Sequence, residues 1–160
     1  MSKNRPTLDA SQLREIALRL LSRREHSTYE LRAKLLARGG SFEKVSATLQ
    51  ELDTEGYLSD TRFTELAVRA RLRTNDGPIK IRAYLLQRGI IDSLIKHYLP
   101  SDQEFWLERA LKLDQLNCMK RSISAHEVTT HEAWSIRSRL LKSRGYPANI
   151  IRQVLETVPD

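Results

Sequence analysis

A nine-residue pattern that occurs twice, fifty residues apart, constrains the fold of this chain more than any other feature of the sequence. The two copies read LRAKLLARG at 31–39 and IRAYLLQRG at 81–89, and a looser third copy, IRSRLLKSRG, ends at Gly145. The match continues upstream, where Ala17 and Ala67 occupy the same place in two apolar-periodic segments. Self-similarity at a long period is typical of repeat proteins, and we therefore predict a chain built from repeated units.

Helix start and stop signals flank each copy and indicate that it is the middle helix of a three-helix unit. The stretch STYE at 27–30 predicts a capping box, in which Ser27 accepts a backbone N–H and Glu30 reaches back to the cap amide. In the second copy Gly77 takes the cap position and Pro78 the first helical position, where a missing N–H costs nothing. TTHE at 129–132 predicts another capping box. The helices should end at left-handed glycines, namely Gly39, Gly89 and Gly145.

The composition agrees with a helical chain, since only 6 of the 160 residues are glycine and 5 are proline. We predict an all-α fold with a flexible N-terminus at 1–10 and three tandem three-helix repeats at 11–58, 59–100 and 101–160, the third lengthened near 117–130. Packing within and between repeats should cover the apolar residues of the middle helices, which are Leu31, Leu35, Leu36, Ile81, Leu85, Leu86, Ile136, Leu140 and Leu141.

The net charge of +7 is concentrated in the middle repeat, where residues 59–100 carry eight basic and four acidic side chains. In the helix that begins near Ser59, Arg69 and Arg73 fall with Arg62 within about 40° of one another, and Arg71 lies on the other flank. This arrangement indicates a surface that meets phosphates or carboxylates, although a solvated helix face is the plainer alternative. The core side of this helix is predicted to consist of Phe63, Leu66, Ala67 and Ala70.

The aromatic residues and the candidate catalytic groups point to packing rather than chemistry. We interpret Tyr57 as a ring that packs a seam between repeats, and Tyr29, Trp106 and Trp134 as core or staple residues. No phosphate-binding loop, dinucleotide glycine pattern or nucleophile elbow occurs. The spacing of Cys118, His126 and His131 matches no structural zinc site, and a fourth ligand is missing. The sequence therefore predicts no enzyme, no cofactor and no metal.

Four stretches together resemble the bacterial RecX family, the regulatory proteins that modulate the RecA recombinase. They read YELRAKLLARG at 29–39, EGYLSDTRF at 55–63, VRARL at 68–72 and GPIKIRAYLLQRGI at 77–90. The resemblance implies tandem three-helix repeats in an elongated, curved array. It implies that the chain binds in the groove of the RecA–DNA filament and inhibits ATP hydrolysis, strand exchange and coprotease activity in DNA repair, recombination and the SOS response. ATP would belong to the partner.

The resemblance also separates positions that support the scaffold from positions that we expect to bind the partner. Family motif positions, which we interpret as mainly structural, are Tyr57, Asp60, Arg62, Phe63, Gly77, Pro78, Ile81 and Gly89. For binding the RecA filament, or single- or double-stranded DNA through its phosphates, we expect Arg69, Arg71, Arg73, Lys80, Arg82 and Arg88, with Arg32, Lys34 and Arg38 as second choices.

Two other functions remain open on the residues alone. Helix–turn–helix-like units with basic second helices are typical of small DNA-binding regulators, and a helical adaptor that binds only protein is the third class. No dimerisation segment is evident, and we expect a monomer. The single cysteine and the absence of a long apolar run predict a cytoplasmic protein without a disulfide or a membrane span.

Overall fold

A computed structural model describes residues 8–124 and 127–157, and helices are the only regular secondary structure in those two ranges. The prediction of an all-α fold is confirmed. The predicted flexible N-terminus lies outside the described residues for positions 1–7. No helix in the described ranges is long and apolar enough to cross a membrane. The helices are α1 (Ala10–Leu21), α2 (Thr28–Ala37), α3 (Phe42–Thr54), α4 (Asp60–Arg73), α5 (Pro78–Leu86), α6 (Asp92–Tyr98), α7 (Gln103–Lys120), α8 (His131–Arg144) and α9 (Ala148–Glu156).

The chain divides into two compact units. Unit 1 contains the described residues up to Leu66 together with Leu85–Leu94, and unit 2 contains Ala67–Tyr84 together with the described residues from Ile95 onward. The division falls inside α4, α5 and α6, and the segment predicted as the middle repeat therefore contributes residues to both units. The assignment of three repeats to residues 11–58, 59–100 and 101–160 stays a prediction from the sequence.

In unit 1, α1, α2 and α3 pack against one another around a core of aliphatic side chains. Helices of ten to thirteen residues are marginal alone in water, because nucleating a helix fixes several dihedral angles for one hydrogen bond. Burial of one apolar stripe from each helix supplies the missing stability. The buried members of this core are Leu13, Ala17, Leu31, Leu35, Val45, Leu49, Leu52 and Leu58.

The helix starts follow the predicted chemistry only in part. Ser27 accepts from the backbone N–H of Glu30 at 3.1 Å, as expected, but the Glu30 carboxylate pairs with arginines and completes no capping box. The third start lies one residue later than predicted, since the Thr130 side chain is the cap of α8. A reciprocal capping box does exist at α1, where Asp9 and Gln12 exchange hydrogen bonds of 2.8 and 3.0 Å.

The predicted glycine stops are confirmed, because Gly39, Gly89 and Gly145 all have positive φ, at 98°, 73° and 83°. Two further helix-start positions are also confirmed, with Gly77 immediately before α5 and Pro78 as its first residue.

The end of α8 meets the start of α5 within unit 2, backbone against backbone. The Gly77 N–H donates to the Arg144 carbonyl at 2.6 Å, and the Ile79 N–H donates to the Gly145 carbonyl at 3.1 Å. A Cβ atom on Gly77 would lie 2.6 Å from the Gly145 oxygen, closer than real Cβ contacts come. The positive end of one helix thus faces the negative end of another, and each satisfies backbone groups that the other leaves unpaired.

The predicted core side of α4 is wrong for Leu66, which is 47% exposed, and for Ala70, which is also exposed. Phe63 is buried as predicted, and it shares the buried side with Thr64 and Val68. Thr64 is polar, yet its hydroxyl donates to the Asp60 carbonyl one turn earlier at 2.6 Å. Because this hydrogen bond satisfies the hydroxyl donor, Thr64 can be buried at little cost in stability. Apolar periodicity alone could not reveal a buried side that includes a satisfied threonine.

Other residues assigned to packing are exposed as well. Leu36 and Leu86, the last leucines of two middle helices, are exposed, and so are Tyr29, Tyr57 and Trp134. None of those three aromatic side chains therefore belongs to the core, which corrects the interpretation of Tyr29 and Trp134 as core residues, and the packing of Tyr57 at a seam between repeats stays a prediction. Trp106 is buried as predicted, and its indole N–H donates to the Pro100 carbonyl at 2.8 Å.

The third copy of the nine-residue pattern buries an arginine where the first two copies bury aliphatic residues. Counting back eight positions from each terminal glycine gives Leu31, Ile81 and Arg137, and all three are buried. The extra residue in the third copy therefore lies upstream of the buried position, and Ile136, which we aligned with Leu31, is only half-buried. Arg137 pairs with the equally buried Asp114 of α7, with its Nη2 2.7 Å from Oδ2.

Candidate functional site

The exposed face of α4 carries Arg69 and Arg73, one turn apart and opposite the buried side chains Thr64 and Val68. Both arginines belong to unit 2 and were predicted to bind the partner. Two guanidinium groups at positions i and i+4 lie on one stripe of a helix, where they can meet successive phosphates or carboxylates.

Arg71 does not share that face. Its position on the helix lies within about 20° of the buried Thr64, and its side chain is two-thirds buried. The guanidinium carbon lies 3.8 Å from the centroid of the Tyr84 ring, and Nη1 donates to Asp76 Oδ2 at 3.0 Å. A stacked and paired arginine of this kind holds the end of α4 in place and presents little of its charge outward.

The Asp76 carboxylate is the centre of a cluster of three cations in unit 2. Besides Arg71, the Lys80 ammonium lies 3.0 Å from Oδ1, and the Arg144 guanidinium lies 3.7 Å from the same oxygen. Burial raises the pKa of Asp76, but hydrogen bonds from Lys80 and Arg71 outweigh it and hold the pKa below its ordinary value. One buried negative charge therefore organises three positive charges and leaves the cluster with a net charge of about +2.

The remaining first-choice cations, Arg82 and Arg88, fall in different units. Arg82 is exposed on α5 in unit 2. Arg88 belongs to unit 1 and is half-buried, with its Nε 3.2 Å from Glu30 Oε1. Burial raises the pKa of Glu30, but the hydrogen bond from Arg24, aided by Arg88, holds it below the ordinary value. Arg88 thus has a structural partner in its own unit.

The second-choice cations lie on or just after α2 in unit 1, where other groups engage them. Arg32 donates to the Ser46 hydroxyl at 3.1 Å, and Arg38 donates to the Lys34 carbonyl at 3.1 Å. The Lys34 ammonium lies 2.9 Å from Nε2 of the buried His26. Of these three cations, only Arg38 is exposed.

The His26 ring explains why Lys34 is held. Its Nδ1 lies 3.0 Å from the Arg24 carbonyl, which accepts only if Nδ1 carries the proton, and Nε2 is then free to accept from the Lys34 ammonium. Burial lowers the pKa of His26, and the ring is therefore neutral at pH 7.

Several of the family motif residues make contacts within the fold. Asp60 Oδ1 accepts from the Thr28 N–H at 2.7 Å, and Phe63 is buried. Arg62 pairs with Glu25 at 2.8 Å, and its guanidinium also donates to the carbonyls of Gly56 and Tyr57. Although Arg62 shares the stripe of Arg69 and Arg73, its donors are directed at unit 1.

The second half of the motif shapes the ends of α5. Gly77 and Gly89 both lie where a side chain would collide, since a Cβ on Gly89 would be 2.7 Å from the Cβ of Tyr29. Pro78 starts the helix, and Ile81 is fully buried. The ring of Tyr57, by contrast, is exposed and lies 6.0 Å from the Arg14 guanidinium.

Sequence reasoning missed the role of the TND turn before Gly77 and missed Arg144. Asp76 is buried in this turn and pairs with cations on both sides of it in the sequence. The Arg144 guanidinium also donates to the Thr74 carbonyl at 2.8 Å. Arg144 is 68 positions from Asp76, and no local pattern could have shown the pairing.

Of the residues considered for zinc, the structure describes Cys118 and His131. In the described part of the chain no three His, Cys, Asp or Glu side chains are grouped as a metal ion requires, and His126 lies outside the described residues. Cys118 is buried, and burial raises the pKa of its thiol.

Comparison with known proteins shows similarity along most of the chain. Residues 14–52 match the family model described as the RecX first three-helix domain, and residues 59–99 match the RecX second three-helix domain. A regulatory protein RecX from Legionella pneumophila (strain Corby) is 34% identical over 142 residues, covering 89% of this chain and 91% of the relative. That from Acidithiobacillus ferrooxidans (strain ATCC 53993 / BNL-5-31) is 35% identical over 150 residues, covering 93% of this chain and 92% of the relative.

Solved structures agree on the fold. The crystal structure of RecX from Lactobacillus salivarius superimposes with a TM-score of 0.77, at 20% identity, covering 92% of this chain and 95% of that one. A second crystal structure, of a regulatory protein RecX, gives a TM-score of 0.72 at 21% identity and covers 92% of this chain and 74% of that one. With both three-helix domains matched and relatives more than 30% identical along nearly nine-tenths of its length, this chain belongs to the RecX family of regulatory proteins.

Proposed function

We propose that this protein regulates the RecA recombinase by binding the RecA–DNA filament, and that its main effect is to inhibit ATP hydrolysis, strand exchange and coprotease activity. Membership of the RecX family supports the regulatory role. The observation that supports a site is the exposed pair Arg69 and Arg73 on α4 of unit 2. We assign Arg82, exposed on α5 of the same unit, to the same function.

The structure changes the role that we propose for two of the predicted cations. Arg71 and Lys80 both pair with the buried Asp76, and we propose that they position the turn between α4 and α5 instead of binding the filament. Their charge still adds to the positive potential of unit 2, which attracts phosphates or acidic protein surfaces over a distance of about 10 Å at moderate salt.

Inhibition by such a surface requires no catalysis by this chain. A protein that binds the assembled or terminal state of a filament, and not the free subunit, shifts the population of filament states by its differential affinity. Arginines that contact phosphates also make the affinity steeply dependent on salt, because each contact releases condensed counterions. RecA, and not this chain, would hydrolyse the ATP.

The test is a titration of this protein into a RecA ATPase assay on single-stranded DNA, comparing wild type with Arg69→Ala/Arg73→Ala. The matched control, Arg19→Ala/Arg23→Ala, removes two exposed positive charges from unit 1. We expect wild type and control to inhibit alike, and the α4 variant to need about tenfold more protein for half-inhibition, since two charge-assisted contacts of about 0.7 kcal/mol each are lost. The slope of log affinity against log salt should fall by about one for each phosphate contact removed.

Three outcomes contradict parts of the proposal. Unchanged inhibition by Arg69→Ala/Arg73→Ala removes the assignment to α4 and leaves the regulatory role. Tight, sequence-specific binding to duplex DNA with no effect on RecA supports a DNA-binding regulator instead. No effect of wild type on either RecA or DNA supports an adaptor that binds another protein.

A further inference from the structure

A cleft of about 570 Å³ opens within unit 2 between α8, α9 and the first turn of α5. Its volume is inside the range of roughly 300–1,000 Å³ that is typical of binding clefts. None of the cations proposed to bind the filament lines it. The lining residues are Ile79, Trp134, Ser138, Lys142, Gly145, Tyr146, Ala148, Ile151, Arg152 and Leu155.

The cleft has an apolar floor and two large apolar side chains at its opening. Tyr146 and Leu155 are buried beneath it, while Trp134 is 46% exposed and Ile79 is 56% exposed. A tryptophan and an isoleucine that both expose about half of their surface around one concave site form the kind of apolar patch that marks an interaction site. Trp134 also lines a second cleft of about 420 Å³, and the other residues that line this cleft have polar or charged side chains.

The charged side chains that line the cleft are both positive. Lys142 and Arg152 both line the cleft and are exposed, and no aspartate or glutamate is among the described lining residues. Lys142 lies in the last turn of α8, where a cation also offsets the negative end of the helix. A ligand that combines an apolar group with carboxylates would complement this surface in both respects.

A nucleobase would fit the cleft poorly, even though an exposed tryptophan beside cations resembles a stacking site. The floor offers aliphatic groups and few polar atoms. Two lining residues carry a hydroxyl, Ser138 and Tyr146, and the Tyr146 hydroxyl already lies 3.5 Å from the Asn75 carbonyl. The polar edge of a base would be left unpaired there, which costs binding energy, whereas a leucine or phenylalanine side chain has no polar atom to satisfy.

We infer that this cleft docks a short acidic, amphipathic segment of a partner protein. One leucine or phenylalanine of the segment enters between Trp134 and Ile79, and aspartate or glutamate side chains about one helical turn away contact Lys142 and Arg152. This is recognition of a helix in a groove, with an aromatic anchor and charged neighbours that set the orientation. The inference does not depend on the proposed binding of the RecA filament by α4.

The test selects a phage-displayed library of random 16-residue peptides on the full-length protein, then measures the affinity of the enriched peptide by fluorescence anisotropy. We expect enrichment of peptides with a leucine or phenylalanine and at least two carboxylates. Trp134→Ala should weaken their binding by about 30-fold, and Lys142→Glu/Arg152→Glu by at least about tenfold. Circular dichroism checks that each variant keeps its helices.

Matched controls separate the cleft from general stickiness and charge. Met119→Ala removes another exposed apolar side chain of unit 2, and Lys112→Glu/Lys120→Glu reverses two exposed charges on α7; both should leave the affinity within about twofold. The inference is overturned if no peptide is enriched, if the enriched peptides lack carboxylates, or if they bind Trp134→Ala as well as wild type. It is also overturned if an oligothymidylate, and not a peptide, loses affinity on Trp134→Ala.

Discussion

The buried pair of Arg137 and Asp114 yields a prediction that tests why the third copy of the nine-residue pattern buries an arginine where the other two copies bury aliphatic residues. The Arg137 side chain is 1% exposed and donates to Asp114 and also to the carbonyls of Val128, Val154 and Thr157, at 2.7–3.3 Å. Arg137→Leu would leave the Asp114 charge buried without its partner. Breaking a pair of this kind costs about 3–5 kcal/mol of the free energy of unfolding. Asp114→Leu should cost a similar amount, because it strands the guanidinium.

The double variant should be much less damaging than either single variant. Asp114 follows the buried Ala110 by four residues, just as Leu21 follows the buried Ala17, and Arg137 takes the place of Leu31. Asp114→Leu/Arg137→Leu therefore puts leucine at both positions, as in the segment around the first copy of the pattern. The remaining cost should be about 2 kcal/mol or less, since three carbonyls lose a donor but no charge stays buried. The two substitutions should thus be coupled by at least about 3 kcal/mol.

Urea unfolding followed by tryptophan fluorescence measures this directly, because both tryptophans of the chain, Trp106 and Trp134, belong to unit 2. Arg139→Leu, which removes an exposed arginine from the same helix, is the control and should change stability by less than about 0.5 kcal/mol. A double variant as unstable as the sum of the two singles would refute the reasoning. Such a result would mean that the arginine stabilises unit 2 through its bonds to carbonyls and not by neutralising the carboxylate.

Three smaller predictions use the same kind of measurement. Burial lowers the pKa of His26 below the ordinary value of about 6.5, so the stabilising effect of the neutral ring is complete above that pH and is lost as pH falls. His26→Gln should therefore flatten the pH dependence of the free energy of unfolding between about pH 7.5 and 5. An unchanged dependence would contradict a buried neutral ring. Gly145→Ala should lower the free energy of unfolding by at least about 2 kcal/mol, since φ is 83° and the new Cβ would lie 2.5 Å from the Cβ of Lys80. Gly56→Ala, with φ of 79° and open space around the new Cβ, should lower it by only about 1 kcal/mol. Equal losses would show that the structure shifts to relieve the crowding at Gly145. Iodoacetamide should alkylate the buried Cys118 at least about 100-fold more slowly in the native protein than in urea, and comparable rates would mean that unit 2 opens readily.

The glycine stops could be predicted because they depend on local geometry. A left-handed turn at Gly39, Gly89 or Gly145 needs a residue without a Cβ, and the sequence marks that need in three equivalent places. The same is true of Pro78 at the start of α5. Signals of this kind are visible within a few residues of the sequence.

The placement of charged residues could not be predicted in the same way. Helical periodicity predicts every arginine to be a surface residue. Arg137 is nevertheless buried, in an ion pair with a residue 23 positions away, and Arg71 stacks on Tyr84 and pairs with Asp76. Pairing between distant positions cancels the cost of burial, and a single sequence does not display it. Trp134 shows the opposite error, since a large aromatic residue is usually buried and this one is exposed.

The joint between α8 and α5 has a consequence for how this protein can hold an anion. The start of a helix often cradles a phosphate with its free N–H groups, and a glycine–proline start flanked by cations looks suited to that use. Here the N–H groups of Gly77 and Ile79 already donate to carbonyls at the end of α8, and Pro78 has no N–H group. The Lys80 ammonium pairs with the Asp76 carboxylate. A polyanion bound by unit 2 would therefore have to be held by arginine side chains and not by a helix start, and such contacts weaken as the salt concentration rises.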